Sequence, residues 1–306
     1  MRLRSVFFTL ASVFALLSAA SGAPKVNVVA TTSMLSDLVR QVGGDRVEVH
    51  GLMGPGVDPH LYKATAADIA RLQRAKLIVY HGLMLEGQMG EVLGRVAKGG
   101  RRVIAVAETI PADRLLKPDD GGNHPDPHVW GNAELWSLCI APVEKALSEL
   151  DPAGAAEYAA RAAAHRAELL KLHQWAKDRA QTLPAESLIL ITSHDAFNYL
   201  GRAYGFQVLG VQGISTVTEA GLGDIVKLTD FIKQKRIKSV FVESSVPRAA
   251  IDRISKDSGA KVGGELFSDA VGTPGKTHTI AGETYDEGTV VGMLKHNINT
   301  VVEALK

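Results

Sequence analysis

Cysteine is nearly absent: Cys139 stands alone in 306 residues, which excludes an intrachain disulfide and a zinc site built from thiolates. Charge of one sign is not in excess either. Lys plus Arg number 34 against 33 Asp plus Glu. With no block of like charge, neither a nucleic-acid surface nor a solvated arm is indicated. No apolar run reaches the ~20 residues that span a bilayer. Several chemical signatures are missing as well: no G-x-G-x-x-G between strand and helix, no phosphate loop, no G-x-S-x-G elbow and no H-E-x-x-H. What is present is a chain 46% hydrophobic and 22% charged, the composition of a folded protein, and its length makes two compact units the natural expectation.

Residues 1–23 read as a secretory signal. Met1-Arg-Leu-Arg4 is basic, an apolar run follows to Leu17, and small residues close the segment at Ser18-Ala-Ala-Ser-Gly-Ala23. Cleavage there predicts an exported, periplasmic protein, and with no cysteine nearby a lipid anchor has no attachment point. Without Arg2 and Arg4 the rest carries one more acid than base.

From Lys25 onward strand-like and helix-like segments alternate, which predicts an α/β fold with mainly parallel sheets. Strands are expected at 26–30, 47–52, 77–80 and 102–105, with helices opening at Ser33 and over 66–75, 86–98 and 133–150. The rhythm breaks at Asp151-Pro152. No helix breaker then appears until Leu183-Pro184, so one helix of roughly 30 residues and about 45 Å is expected. Alternation resumes with strands at 187–192, 207–211, 239–242 and near 261–263, and helices from Asp195, over 222–235, 247–257 and 288–305. The expected organisation is an N-terminal lobe at 24–150, a linking helix at 151–184 that acts as a stiff hinge, and a C-terminal lobe at 185–306.

One short element occurs twice: Val57-Asp-Pro-His-Leu-Tyr62 and Pro125-Asp-Pro-His-Val-Trp130. Proline fixes its own φ and keeps the preceding Asp out of helical space, so each His follows a stiff turn, with an aromatic two residues on to shield it. A held, partly desolvated imidazole suits a metal ion. Asp58 and Asp126 are placed to orient the two rings. His194, in Thr192-Ser-His-Asp-Ala-Phe197, sits where a strand passes into a helix, and Asp269, in Gly264-Glu-Leu-Phe-Ser-Asp269, has the same topological position. Ligands in open α/β sheets collect at that edge. Three imidazoles and a carboxylate, two from each lobe, complete a four-ligand set for a divalent cation in a cleft between the lobes. Glu243, at a strand end, is a further candidate for orienting a ligand. His50, His165, His173, His278 and His296 read as structural or surface residues, the two on the long helix as solvated. His81 follows a strand and His124 precedes the second turn, which leaves contact with the cleft open for both. Cys139 and the three tryptophans read as packing residues.

These turns, the run Thr192-Ser-His-Asp-Ala-Phe-Asn-Tyr-Leu-Gly-Arg-Ala-Tyr-Gly205, the loop Gly213-Ile-Ser-Thr-Val-Thr-Glu219 and the Asp269 segment resemble the metal-receptor family of ABC importers. These are the manganese, zinc and iron substrate-binding proteins, and the TroA-like branch is the most similar. The resemblance covers 25–306. It implies two α/β lobes joined by one rigid helix, with one divalent ion, Mn(II) or Zn(II), held as cargo by His60, His128, His194 and Asp269. Asp286 is an alternative acid that the family pattern does not favour. The implied partners are a membrane permease and its ATPase, with no nucleic acid and a monomeric receptor. The zinc-specialised branch often carries a long His- and acid-rich loop before the second ligand. Here 117–127 is short, with His124 beside Asp119, Asp120 and Asp126. Many manganese-selective relatives have Glu where this chain has His194. Two other readings follow from the same residues: a zinc hydrolase, which needs an open water position, and a receptor of this shape for iron, haem or an iron chelate, or an adhesin.

Overall fold

The computed structural model describes residues 24–117 and 124–306. The signal segment 1–23 and the acids Asp119 and Asp120 lie outside the described residues. Among those described, no helix is long and apolar enough to cross a membrane.

The N-terminal half is built on a four-stranded parallel sheet. Strands β1 (Val26–Ala30), β2 (Val47–Gly51), β3 (Leu77–Tyr80) and β4 (Arg102–Ala105) lie in the order β2-β1-β3-β4. Helices α1 (Ser33–Gly43), α2 (Ala66–Arg74) and α3 (Gly90–Lys98) alternate with them. Helix α1 opens at Ser33, and Thr32 caps it by accepting from the Leu35 amide. Val28 and Val29 are both fully buried although they point to opposite faces of the sheet, as expected for a parallel sheet covered on both sides. The expected single helix over 133–150 is instead α4 (Ala133–Trp136) and α5 (Ile140–Leu150), separated by a 3₁₀ turn.

The long helix, α6, spans Ala155–Ala180 after a 3₁₀ turn at Pro152–Gly154. Its 26 residues give a rod of about 39 Å, shorter than expected, because the turn absorbs the first proline. Tyr158, Ala162, His165, Leu169, Leu172, Ala176 and Ala180 form its buried stripe at three- and four-residue spacing. His165 belongs to this stripe and is not solvated, and His173 is half-buried beside the Tyr204 ring.

The C-terminal half has strands β5 (Ile189–Thr192), β6 (Gln207–Gly210), β7 (Ser239–Glu243) and β8 (Lys261–Leu266), paired in parallel as β5-β6 and β7-β8, with β5 beside β7. Helices α7 (Asn198–Tyr204), α8 (Leu222–Lys235), α9 (Ala249–Ser258) and α10 (Val290–Leu305) accompany them. An antiparallel hairpin, β9 (Thr277–Ile280) and β10 (Glu283–Asp286), carries His278 in a stretch where the sequence pattern predicted no strand. It turns on Ala281 and Gly282, both at positive φ.

Helix α6 packs on α1, α4 and α5 from one half and on α7 and α10 from the other. One apolar core consequently runs through Leu38, Trp136, Leu169, Leu200 and Leu294 without a break between the halves. Leu169 is fully buried at the middle of that run. Replacing Leu169 with Ala should cost about 3 kcal/mol in urea unfolding, with both halves lost in one transition. A loss below ~1 kcal/mol, or two separated transitions, would contradict a shared core.

Candidate metal centre

Four chain segments end at one point, and three of them are placed by a strand. The first Asp-Pro-His turn follows β2, with Leu52 and Met53 still bonded alongside β1. The second is held by the Asp126 amide donating to the Leu116 carbonyl and by the Tyr199 hydroxyl donating to the Asp126 carbonyl. His194 lies two residues past β5, and Asp269 three past β8. Gly210, at the end of β6, permits this: a Cβ there would lie 2.7 Å from the Asp195 nitrogen and 2.8 Å from the His194 carbonyl carbon.

The four side chains meet. One nitrogen or oxygen from each of His60, His128, His194 and Asp269 lies within 4.8 Å of all the others. His60 Nε2 is 3.3 Å from His128 Nε2, His128 Nε2 is 3.4 Å from Asp269 Oδ1, and His194 Nε2 is 3.2 Å from Asp269 Oδ2. Two ligands bound at ~2.05 Å to a tetrahedral centre sit about 3.3 Å apart. The observed spacings therefore fit a small cation at the common centre. All four residues are at most 5% exposed. His194 Nε2 and both Asp269 oxygens are buried and lack a hydrogen bond of acceptable geometry, as ligand atoms aimed at a cation would be.

The tautomers follow from the far side of two rings. His128 Nδ1 donates to Asp126 Oδ1 at 2.7 Å, and His194 Nδ1 donates to Glu243 Oε2 at 2.5 Å. Each carboxylate also accepts the backbone N–H of the same histidine, at 2.9 and 2.8 Å. A proton on Nδ1 leaves Nε2 of the neutral ring as a lone pair facing the centre. Asp58 behaves differently from the expectation: its Oδ1 accepts the His60 N–H at 2.8 Å, but its Oδ2 is taken by the Thr216 hydroxyl at 2.5 Å, so it holds the turn and not the ring.

Burial pushes the His60 imidazole down to about 4. For His194 burial acts in the same direction, but Glu243 and Asp269 outweigh it and raise the ring well above the usual imidazole range. Asp269 is pushed up by burial, yet His194, His128 and His60 hold it well below the usual carboxylate range. Asp126, Glu243 and Asp269 are each at most 3% exposed, and among the described residues their ion-pair contacts are all to histidines, none to Lys or Arg. Three buried acids without a fixed cation call for one.

The structure adds residues that the sequence did not single out for these roles. His81, fully buried, donates from Nε2 to the Pro127 carbonyl at 2.7 Å, immediately before His128, and stacks on Trp136. Its position after a strand was the only signal. Trp130 packs edge-on to His128 and donates to the Ser268 carbonyl at 2.7 Å, tying the second turn to the Asp269 segment. Asp286 lies away from the group: its Oδ1 accepts from the Gly275 and Gly288 amides, a loop-closing role. His124 is exposed on the wall of a cleft that also reaches His60.

The sequence pattern of the family described as ZnuA, zinc-uptake complex component A, periplasmic, matches residues 28–304. The chain belongs to this metal-receptor family. It is 43% identical over 293 residues to the zinc-binding protein TroA of Treponema pallidum, covering 94% of this chain and 91% of that protein. It is 40% identical over 287 residues to the manganese-binding lipoprotein MntA of Bacillus subtilis, covering 92% and 90%. The solved structure of the periplasmic zinc-binding protein TroA from Treponema pallidum superposes with a TM-score of 0.86 over 92% of this chain and 99% of that one. The α/β architecture is that of this receptor family.

Because Glu243 fixes the tautomer and aim of His194, Glu243→Gln should weaken binding of Zn(II) 10- to 100-fold, roughly, without altering the far-ultraviolet circular dichroism. Titration with wild-type affinity would remove Glu243 from this role.

Proposed function

We propose that this chain is the extracytoplasmic receptor of an ABC importer, which captures one divalent transition-metal ion between its halves and delivers it to a membrane permease driven by an ATPase. The ligands are His60, His128, His194 and Asp269, with Asp126 and Glu243 orienting two of the rings. The observation that carries this reading is the spacing of 3.2–3.4 Å among inward-facing donor atoms, in a pocket whose buried acids form ion pairs, among the described residues, with histidines alone. Segment 1–23 is the export signal. Residues 24–150 and 185–306 act as the two lobes, 151–184 link them, and the receptor works as a monomer.

The donor set suits Zn(II), which takes nitrogen and oxygen ligands tetrahedrally. Both Asp269 oxygens approach the group, one toward His128 and one toward His194. A carboxylate binding through both would offer five contacts and serve Mn(II) better. A relative named for each metal is consistent with either cargo. A fourth protein ligand leaves no open water position, which speaks against a hydrolase.

Replacing His194 with Ala should lower Zn(II) affinity more than about 100-fold while the apo chain stays folded. Calorimetric titration that matches the wild type would count against the site. Acid should also expel the ion. A ligand imidazole must be neutral to bind, and the His194 ring, held well above the usual imidazole range by Glu243 and Asp269, takes up a proton readily, so affinity falls as the pH is lowered. Equilibrium dialysis from pH 8 to pH 5 should show that loss; constant occupancy across the range would rule out coordination by three histidines.

A further inference from the structure

The four proposed ligands are not held alike. His128 and His194 each have Nδ1 fixed by a buried carboxylate, and Asp269 is 1% exposed. Among the described residues no group hydrogen-bonds His60 Nδ1. Of the four, His60 alone borders the cleft of about 980 Å³, lined by Leu83, Met84 and Gln88 from one half and Ile214 and Val217 from the other. An ion travelling between the cleft and the buried centre therefore passes His60.

What fixes His60 is its backbone. Asp58 Oδ1 accepts the His60 N–H at 2.8 Å, and Asp58 Oδ2 accepts the Thr216 hydroxyl at 2.5 Å. Thr216 belongs to the opposite half, in the segment between β6 and α8, and is 8% exposed. Among the described residues, this is the only hydrogen bond between the segment 211–221 and the N-terminal half. Other bonds between the halves lie elsewhere, among them Trp130 to the Ser268 carbonyl, Tyr199 to the Asp126 carbonyl, and the Val271, Val290 and Ala133 amides to Ser33, Asp37 and Tyr204. They can persist while the 211–221 segment lifts from Asp58.

We propose that Thr216 is a positioning residue for cargo exchange: its bond to Asp58 locks the His60 turn over the ion, and His60 is the last ligand to engage and the first to leave. This rests on the ligand set proposed above. Breaking the Thr216 bond frees one carboxylate oxygen of Asp58, loosens the His60 turn and opens the path to the cleft, while the other three ligands keep their supports.

The test compares wild type with Thr216→Val and Thr216→Ser, all loaded with Zn(II) and mixed in stopped flow with an excess of chromophoric chelator. Losing a hydrogen bond to a charged group should speed Zn(II) release about ten-fold in Thr216→Val and leave association within about two-fold. Thr216→Ser, which keeps the hydroxyl, should release at close to the wild-type rate. Release from Thr216→Val at the wild-type rate would overturn the proposal, as would a Ser variant as fast as the Val variant. His194→Ala, run alongside, separates the two levels. If it binds Zn(II) as tightly as wild type, the ligand set itself is wrong and the lock falls with it. If it loses Zn(II) while Thr216→Val changes nothing, the lock alone is wrong.

Discussion

Three carboxylates buried together without a lysine or arginine are the constraint on which the site depends. Asp126, Glu243 and Asp269 have been taken out of water, and among the described residues their ion-pair partners are all histidines. Removing charge from water costs several kcal/mol per ion unless a partner offsets it. A dication at the common centre would supply that partner for all three, to Asp269 directly and to the others through the His128 and His194 rings. Asp126 and Glu243 also choose the tautomers of His128 and His194, so electrostatic need and ligand geometry are met by one arrangement.

Holding such an arrangement requires a scaffold that does not yield. The donor atoms come from segments more than two hundred residues apart in sequence, yet their spacing matches one ion. Parallel strands bring the turns and strand exits to one edge, where loops leave the sheet ends. Helix α6 then packs against helices of both halves, and the core is continuous across it. Close packing of this kind resists large displacement. The segment carrying Thr216, 211–221, lies outside that core. The supports differ among the four: buried carboxylates bond the rings of His128 and His194, whereas His60 is held through its backbone by a hydrogen-bonded turn.

Much of this was legible in the sequence, and the reasons differ by residue. The duplicated Asp-Pro-His turn stands out because proline restricts two residues at once, and His194 and Asp269 stand out because strand ends are visible in the pattern. The α/β alternation and the long helix follow from apolar periodicity and from prolines at both ends. The role of Asp58 was not legible: its second oxygen is taken by Thr216, 158 positions away, and local pattern carries no trace of that partner. His165 was misplaced on the solvent side because the long helix is flanked by other helices on several faces, and an alanine-rich stretch gives weak periodicity. His81 touches neither the centre nor solvent and acts through a backbone carbonyl, which leaves no signature in side-chain spacing. The β9-β10 hairpin was hidden because its strands are four residues each and mostly polar, with only Tyr285 among them buried.

X-ray absorption at the zinc edge of the loaded protein interrogates the centre itself. The account predicts a shell of four nitrogen or oxygen scatterers at about 2.0–2.1 Å, no sulfur, and the outer-shell pattern of three imidazole rings. A first shell of six oxygens, or fewer than two imidazoles, would contradict it.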